Sequence, residues 1–105
     1  MNIIKFNDNY NYKLFNDYYT TIRLPNKKYK IGDIYEIVWK DTHHFARIKN
    51  IKEIYLHEID EITISCDTGV SLDESYYIFK DFGINKDDLV YLILLKKWKW
   101  EKDNV

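Results

Sequence analysis

Thr21 and Arg23 lie two apart in the stretch Tyr19-Thr20-Thr21-Ile22-Arg23-Leu24. Residues two apart on a strand share a face, so a hydroxyl and a guanidinium would line one pocket. That pair suits a phosphate or the edge of a base. Lys27, Lys28 and Lys30 follow in a short loop, and lysines so placed hold phosphates without reading sequence. Tyr18 and Tyr19 precede the pair, and aromatic rings beside cations are the parts that stack exposed bases. Asp67 would add a carboxylate from a distant segment. Each has a plainer reading: an Arg ion-paired to a nearby carboxylate, a solvated lysine loop, and an Asp-Thr-Gly turn in which Asp bonds the backbone two residues on.

Other chemistries find little support. His43 and His44 are adjacent, so on a strand they point in opposite directions, and His57 is distant. No zinc-like ligand spacing exists, and neither a metal nor a cofactor is expected. The glycines at 32, 69 and 83 are scattered, which argues against a phosphate-cradling glycine loop. Cys66 is the lone cysteine; it excludes an internal disulfide, fits a reducing cytoplasm, and reads as a small buried hydrophobe. Net charge is −1, which excludes a uniformly basic nucleic-acid binder but not a local patch. Fourteen of the 16 basic residues are Lys, leaving Arg23 and Arg47 as exceptions. The Lys, Asn, Ile and Tyr excess fits an AT-rich genome. No secretory leader or membrane-spanning stretch is visible.

The elements that must position these residues follow from periodicity. A chain of 105 residues with 46% hydrophobic content reads as one domain, 1–105. Asn2–Phe6 reads as a strand. Asp8–Asp17 reads as a weak helix with Tyr10, Leu14 and Phe15 on one side. Tyr19–Leu24 is a β-branched strand ended by Pro25. Asp33–Lys40 alternates as a strand, Asp41–His44 reads as a hairpin connection, and Phe45–Ile54 returns antiparallel with Ala46, Ile48 and Ile51 inward. Leu56–Cys66 has Leu56, Ile59 and Ile62 at helical spacing. Ser71 and Glu74 form a capping box opening a helix Leu72–Phe82, which Gly83 would cap. Asp87–Trp100 is the last strand, with Trp98 closing the core and Trp100 on the surface. The expected class is α+β, a small curved barrel of mostly antiparallel strands with two or three short helices.

This order resembles the ASCH domain, a small family related to the PUA RNA-binding fold, over Asn2 to Trp98. The resemblance rests on Thr21-Ile22-Arg23, the Gly32-Asp33 turn, Ala46-Arg47-Ile48, the helix entering Asp67-Thr68-Gly69, the Ser71–Phe82 helix and the final apolar strand. It implies binding of RNA or a modified nucleotide or nucleoside in a pocket of Tyr18, Thr21, Arg23 and Asp67, flanked by Lys27 and Lys28. Family members of similar size are amidohydrolases that deacylate acetylcytidine. Their catalytic Thr matches Thr21; their Lys position falls on Tyr18 and their Glu position on Asp67. A Tyr cannot supply the amine that activates a Thr hydroxyl, so Lys13 or Lys27 would have to fold back into the site. A third expectation is a phage- or mobile-element-encoded interaction module, docking a protein partner through an exposed Tyr/Trp surface.

Overall fold

The computed structural model describes residues 2–98. Five strands, β1 (Ile3–Lys5), β2 (Tyr18–Arg23), β3 (Ile34–Trp39), β4 (Thr42–Tyr55) and β5 (Leu89–Lys97), form one mixed sheet in the order β1-β3-β4-β5-β2. β1 runs parallel to β3, and the other pairings are antiparallel. Two α-helices, α1 (Glu61–Thr68) and α2 (Leu72–Asp81), lie between β4 and β5. Short 3-10 segments cover Tyr10–Phe15 and Leu56–Glu58. The class is thus α+β. The expected closed barrel is not formed by the hydrogen-bonded ladder, because β1 and β2 end the sheet at opposite margins.

Alternation along the strands builds two apolar clusters. Ile4, Tyr19, Tyr35, Ile37, Ala46, Ile48, Ile93 and Leu95 meet on one face, with Phe6 and Leu14 packed over them. Ile22, Leu56, Ile59, Ile64, Phe79, Ile84 and Val90 meet on the other, beneath the helices. A register shift between Ile48 and Asn50 bends the 14-residue β4, so that its later part serves the second cluster through Ile54.

The helical region departs from the expected segmentation. Leu56 and Ile59 are buried before α1 begins, and Asp60 caps α1 by accepting from the Thr63 amide at 3.0 Å. This start turns Ile62 outward to 77% exposure. Asp67 and Thr68 form the last turn of α1 rather than a loop, and Gly69 ends it in the left-handed conformation at φ 81°. Cys66 faces solvent, since Ile64, Asp67 and Thr68 form the inward side. The hairpin connection narrows to Lys40–Asp41, which places His43 and His44 within β4. The capping box of Ser71 and Glu74 forms as expected. Trp98 is half-buried against Phe45 rather than in the core. Trp100 lies outside the described residues.

His44 Nε2 lies 2.7 Å from the Tyr19 hydroxyl. Burial, with Lys97 and His43 nearby, lowers the His44 pKa to about 4. Burial likewise raises that of Tyr19, so the two groups share this hydrogen bond as a neutral pair.

Two predictions follow from these contacts. A Cβ at Gly69 would sit 2.9 Å from the Asn11 Cβ, whereas at Gly83, also left-handed, nothing lies within 4 Å. Gly69→Ala should lose about 2–4 kcal/mol in urea denaturation, from strain plus overpacking, and Gly83→Ala about 1 kcal/mol. Equal losses would contradict the close approach. A histidine whose folded pKa is depressed gives its full stabilisation above the unfolded value near 6.5. That stabilisation is lost as pH falls towards 4. Stability should therefore decline over that window, and less so in His44→Gln; identical pH profiles would refute the assignment.

Candidate functional site

The site begins with a backbone irregularity. Within Tyr10–Phe15 two consecutive non-glycine residues, Asn11 (φ 58°) and Tyr12 (φ 52°), adopt left-handed conformations. Such residues persist only where their surroundings hold them. Asn11 is held by α1: its side-chain Nδ2 donates to the Cys66 carbonyl at 2.9 Å, and it packs on Gly69. That carbonyl is one of those left open at the end of a helix. The reversal turns Lys13 and Leu14 inward and leaves Phe15 65% exposed, against the single inward stripe of Tyr10, Leu14 and Phe15.

Lys13 thereby reaches Asp67. Its Nζ donates to Asp67 Oδ1 at 2.9 Å, and both side chains are almost fully buried. Thr20, on β2, donates its hydroxyl to the same oxygen at 2.7 Å. Asp67 Oδ2 makes no hydrogen bond among the described residues. Burial lowers the pKa of Lys13, Asp67 opposes that shift, and Arg23 adds to it. Nζ also lies 5.5 Å from the centre of the Phe6 ring. Behind Asp67, Thr68 donates to the Ile64 carbonyl and shares a 2.7 Å hydrogen bond with Ser75 of α2, fixing the end of α1 against its neighbour.

Thr21 is buried, and its hydroxyl oxygen accepts from Arg23 Nε at 2.9 Å. The two residues share a face, as their spacing requires. The Arg23 guanidinium lies 4.7 Å from the centre of the Phe6 ring, a cation–π arrangement that fixes its position. Arg23 makes no ion pair among the described residues, so the plain reading of an Arg paired to a carboxylate is not what the structure contains.

Phe6, Lys13, Thr21, Arg23, Asp67 and Thr68 line one cavity of about 340 Å³; Thr20 reaches Asp67 from outside its lining. Lys5 to Asp8, which follow from β1, line one side, and Thr21 to Leu24 of β2 and its exit line the other. The two margins of the sheet thus face each other across the cavity. Lys13, Asp67 and Phe79 close its floor, and Tyr10, Lys27 and Tyr29 also line it.

Of the residues expected from sequence, Thr21, Arg23, Asp67 and Lys27 come together here. Tyr18 does not: its side chain is half-exposed and lies beside the Lys96 amine, because it falls on the opposite face of β2 from Thr21. Lys28 is exposed and lines no part of the cavity. Thr20 and Phe6 were not expected. The β-branched strand concealed the first, and an isolated Phe at the end of a strand reads only as core. Among the described residues no three His, Cys, Asp or Glu side chains gather as a metal set, and no helix is long and apolar enough to cross a membrane. No family model matches the chain, and neither a curated protein nor a solved structure is detectably similar to it.

Removing one member of a buried ion pair leaves the other uncompensated, at a cost of about 3–5 kcal/mol, whereas an apolar replacement of both is far milder. Lys13→Met and Asp67→Leu should each show losses of that size in urea denaturation. Lys13→Met combined with Asp67→Leu should recover much of the loss. Additive losses in the double variant would show that the two residues do not act as a pair.

Proposed function

We propose that this chain is an ASCH-like, PUA-related domain whose cavity binds a nucleobase-bearing ligand: RNA, or a modified nucleotide or nucleoside. The observation that carries the reading is the convergence of Thr21, Arg23 and Asp67 on one cavity. Two of these residues share a strand and the third comes from a distant helix. A curved sheet whose two margins approach across a cavity is compatible with a barrel of that type left open at one seam.

The chemistry suits a base. Asp67 Oδ2 is available to accept from an exocyclic amine, while the Lys13 ammonium can donate to a ring nitrogen or carbonyl oxygen. Tyr10 and Tyr29 provide ring surface in the same cavity. The volume falls at the small end of the range for ligand pockets. Longer RNA would cross the exposed Lys27 and Lys28, and that part of the affinity should weaken steeply with salt.

A second reading, deacylation of acetylcytidine, is favoured by one observation. Lys13 touches Asp67 inside the cavity and in this reading would take the place of the amine absent at Tyr18. In this reading the Thr21 oxygen forms a bond to the acyl carbon as its proton passes to Lys13 in its neutral form. The C–N bond then breaks, and the leaving amine takes that proton. Water cleaves the resulting ester, returning the Thr21 hydroxyl and releasing acetate. The hydrogen bond from Arg23 to Thr21 would favour the oxyanion form of that hydroxyl.

Both readings are tested in one plate by binding of nucleosides and short RNA and by release of cytidine from acetylcytidine. The binding reading expects Arg23→Ala to weaken affinity at least about tenfold, the worth of one charged hydrogen bond. Turnover abolished by Thr21→Ala and by Lys13→Met would establish the hydrolase. Neither binding nor turnover would reject both.

A further inference from the structure

The cavity has two ends of different character, and Arg23 marks one of them. Its Nε is committed to Thr21 at 2.9 Å, and this is the single hydrogen bond the guanidinium makes among the described residues. The terminal nitrogens therefore keep four N–H groups without an acceptor. Stacking on Phe6 at 4.7 Å holds the fork in place. Thr21 accepts from Arg23, and its own O–H makes no hydrogen bond among the described residues. A half-buried guanidinium with unused donors, beside a hydroxyl with an unused proton, is built to receive an oxyanion.

Charge narrows the anion. The cavity is lined by Lys5, Lys13, Arg23 and Lys27 against Asp8 and Asp67, four cations facing two carboxylates, in a chain whose net charge is −1. Lys13 and Asp67 neutralise each other, which leaves Lys5, Arg23 and Lys27 against Asp8, a local excess of about two positive charges along the cavity lining. A terminal phosphate monoester carries about −1.5 to −2 near neutral pH, while the phosphodiester of an RNA chain carries −1. We infer that the Arg23 end of the cavity is a phosphate-monoester subsite, so that the preferred ligand is a free nucleoside monophosphate rather than a nucleoside or internal RNA. This rests on the nucleobase reading of the same cavity, with the base at the Asp67 end.

The test is isothermal titration of the full chain with the four ribonucleosides, their 3′- and 5′-monophosphates, inorganic phosphate and a short RNA lacking terminal phosphates. At least one monophosphate should bind about tenfold or more tightly than both its nucleoside and the RNA. Arg23→Lys keeps a cation but not the fork, and should abolish that preference. Lys27→Gln should reduce the preference only partly. If nucleoside and monophosphates bind equally, the phosphate subsite is overturned while the nucleobase reading stands. If phosphate binds as tightly as every monophosphate, the site holds anions only, and both readings fall. If no compound binds, both fall as well. An Arg23→Lys protein that melts like the parent yet keeps the full preference would also overturn the inference.

Discussion

The buried ion pair of Lys13 and Asp67 is the constraint around which the rest of the molecule is arranged. Two charges withdrawn from water cost several kcal/mol each unless geometry and further hydrogen bonds repay the loss. Here the second bond comes from Thr20, which draws the carboxylate to β2 as well as to the turn carrying Lys13. One carboxylate oxygen of α1 thereby joins two neighbouring elements, the Lys13 turn and β2, that lie some distance from it in sequence. The left-handed Asn11–Tyr12 pair is tolerable because the contact it enables is made, and because α1 offers both an open carbonyl and a glycine against which Asn11 can lie.

Seen from the sheet, the same pair closes the floor of a gap that strand pairing leaves open. The two apolar clusters lie on opposite faces of the sheet and need not meet. Between the margins, where neither strand has a further partner, the chain places polar and charged side chains among core residues such as Ile22 and Phe79. Hydration or a ligand can serve the groups exposed along such a seam, which apolar packing cannot. The location of the cavity therefore follows from the strand order, with β1 and β2 at the ends of the ladder.

Much of this was legible in the sequence, because period-two alternation survives folding. Tyr35 and Ile37 in β3, Ala46 and Ile48 in β4, and the Ser71–Glu74 cap all behave as their spacing required. Thr21 and Arg23 share a face for the same reason. What was hidden depended on backbone states that residue type does not announce. Nothing in Asn11 or Tyr12 signals a positive φ, so the inward turn of Lys13 was visible only as a possibility. Asp60 competed unnoticed as a helix cap, which shifted α1 by several residues, exposed Ile62 and moved Asp67 from a turn into a helix. The lysine position of the resemblance falls on Tyr18, which strand alternation places on the face opposite Thr21.

The strand order also bears on how the chain is made. β2 pairs only with β5, through contacts from Tyr18↔Lys96 to Arg23↔Tyr91. During synthesis the aromatic segment carrying Thr21 must emerge and wait, unpaired, until nearly all the remaining strands and both helices have followed. Non-local pairing of this kind is slow and leaves strand edges open to other chains in the meantime. β1, by contrast, finds β3 early. The pairing of β2 with β5 is thus also the step that completes the β2 side of the cavity.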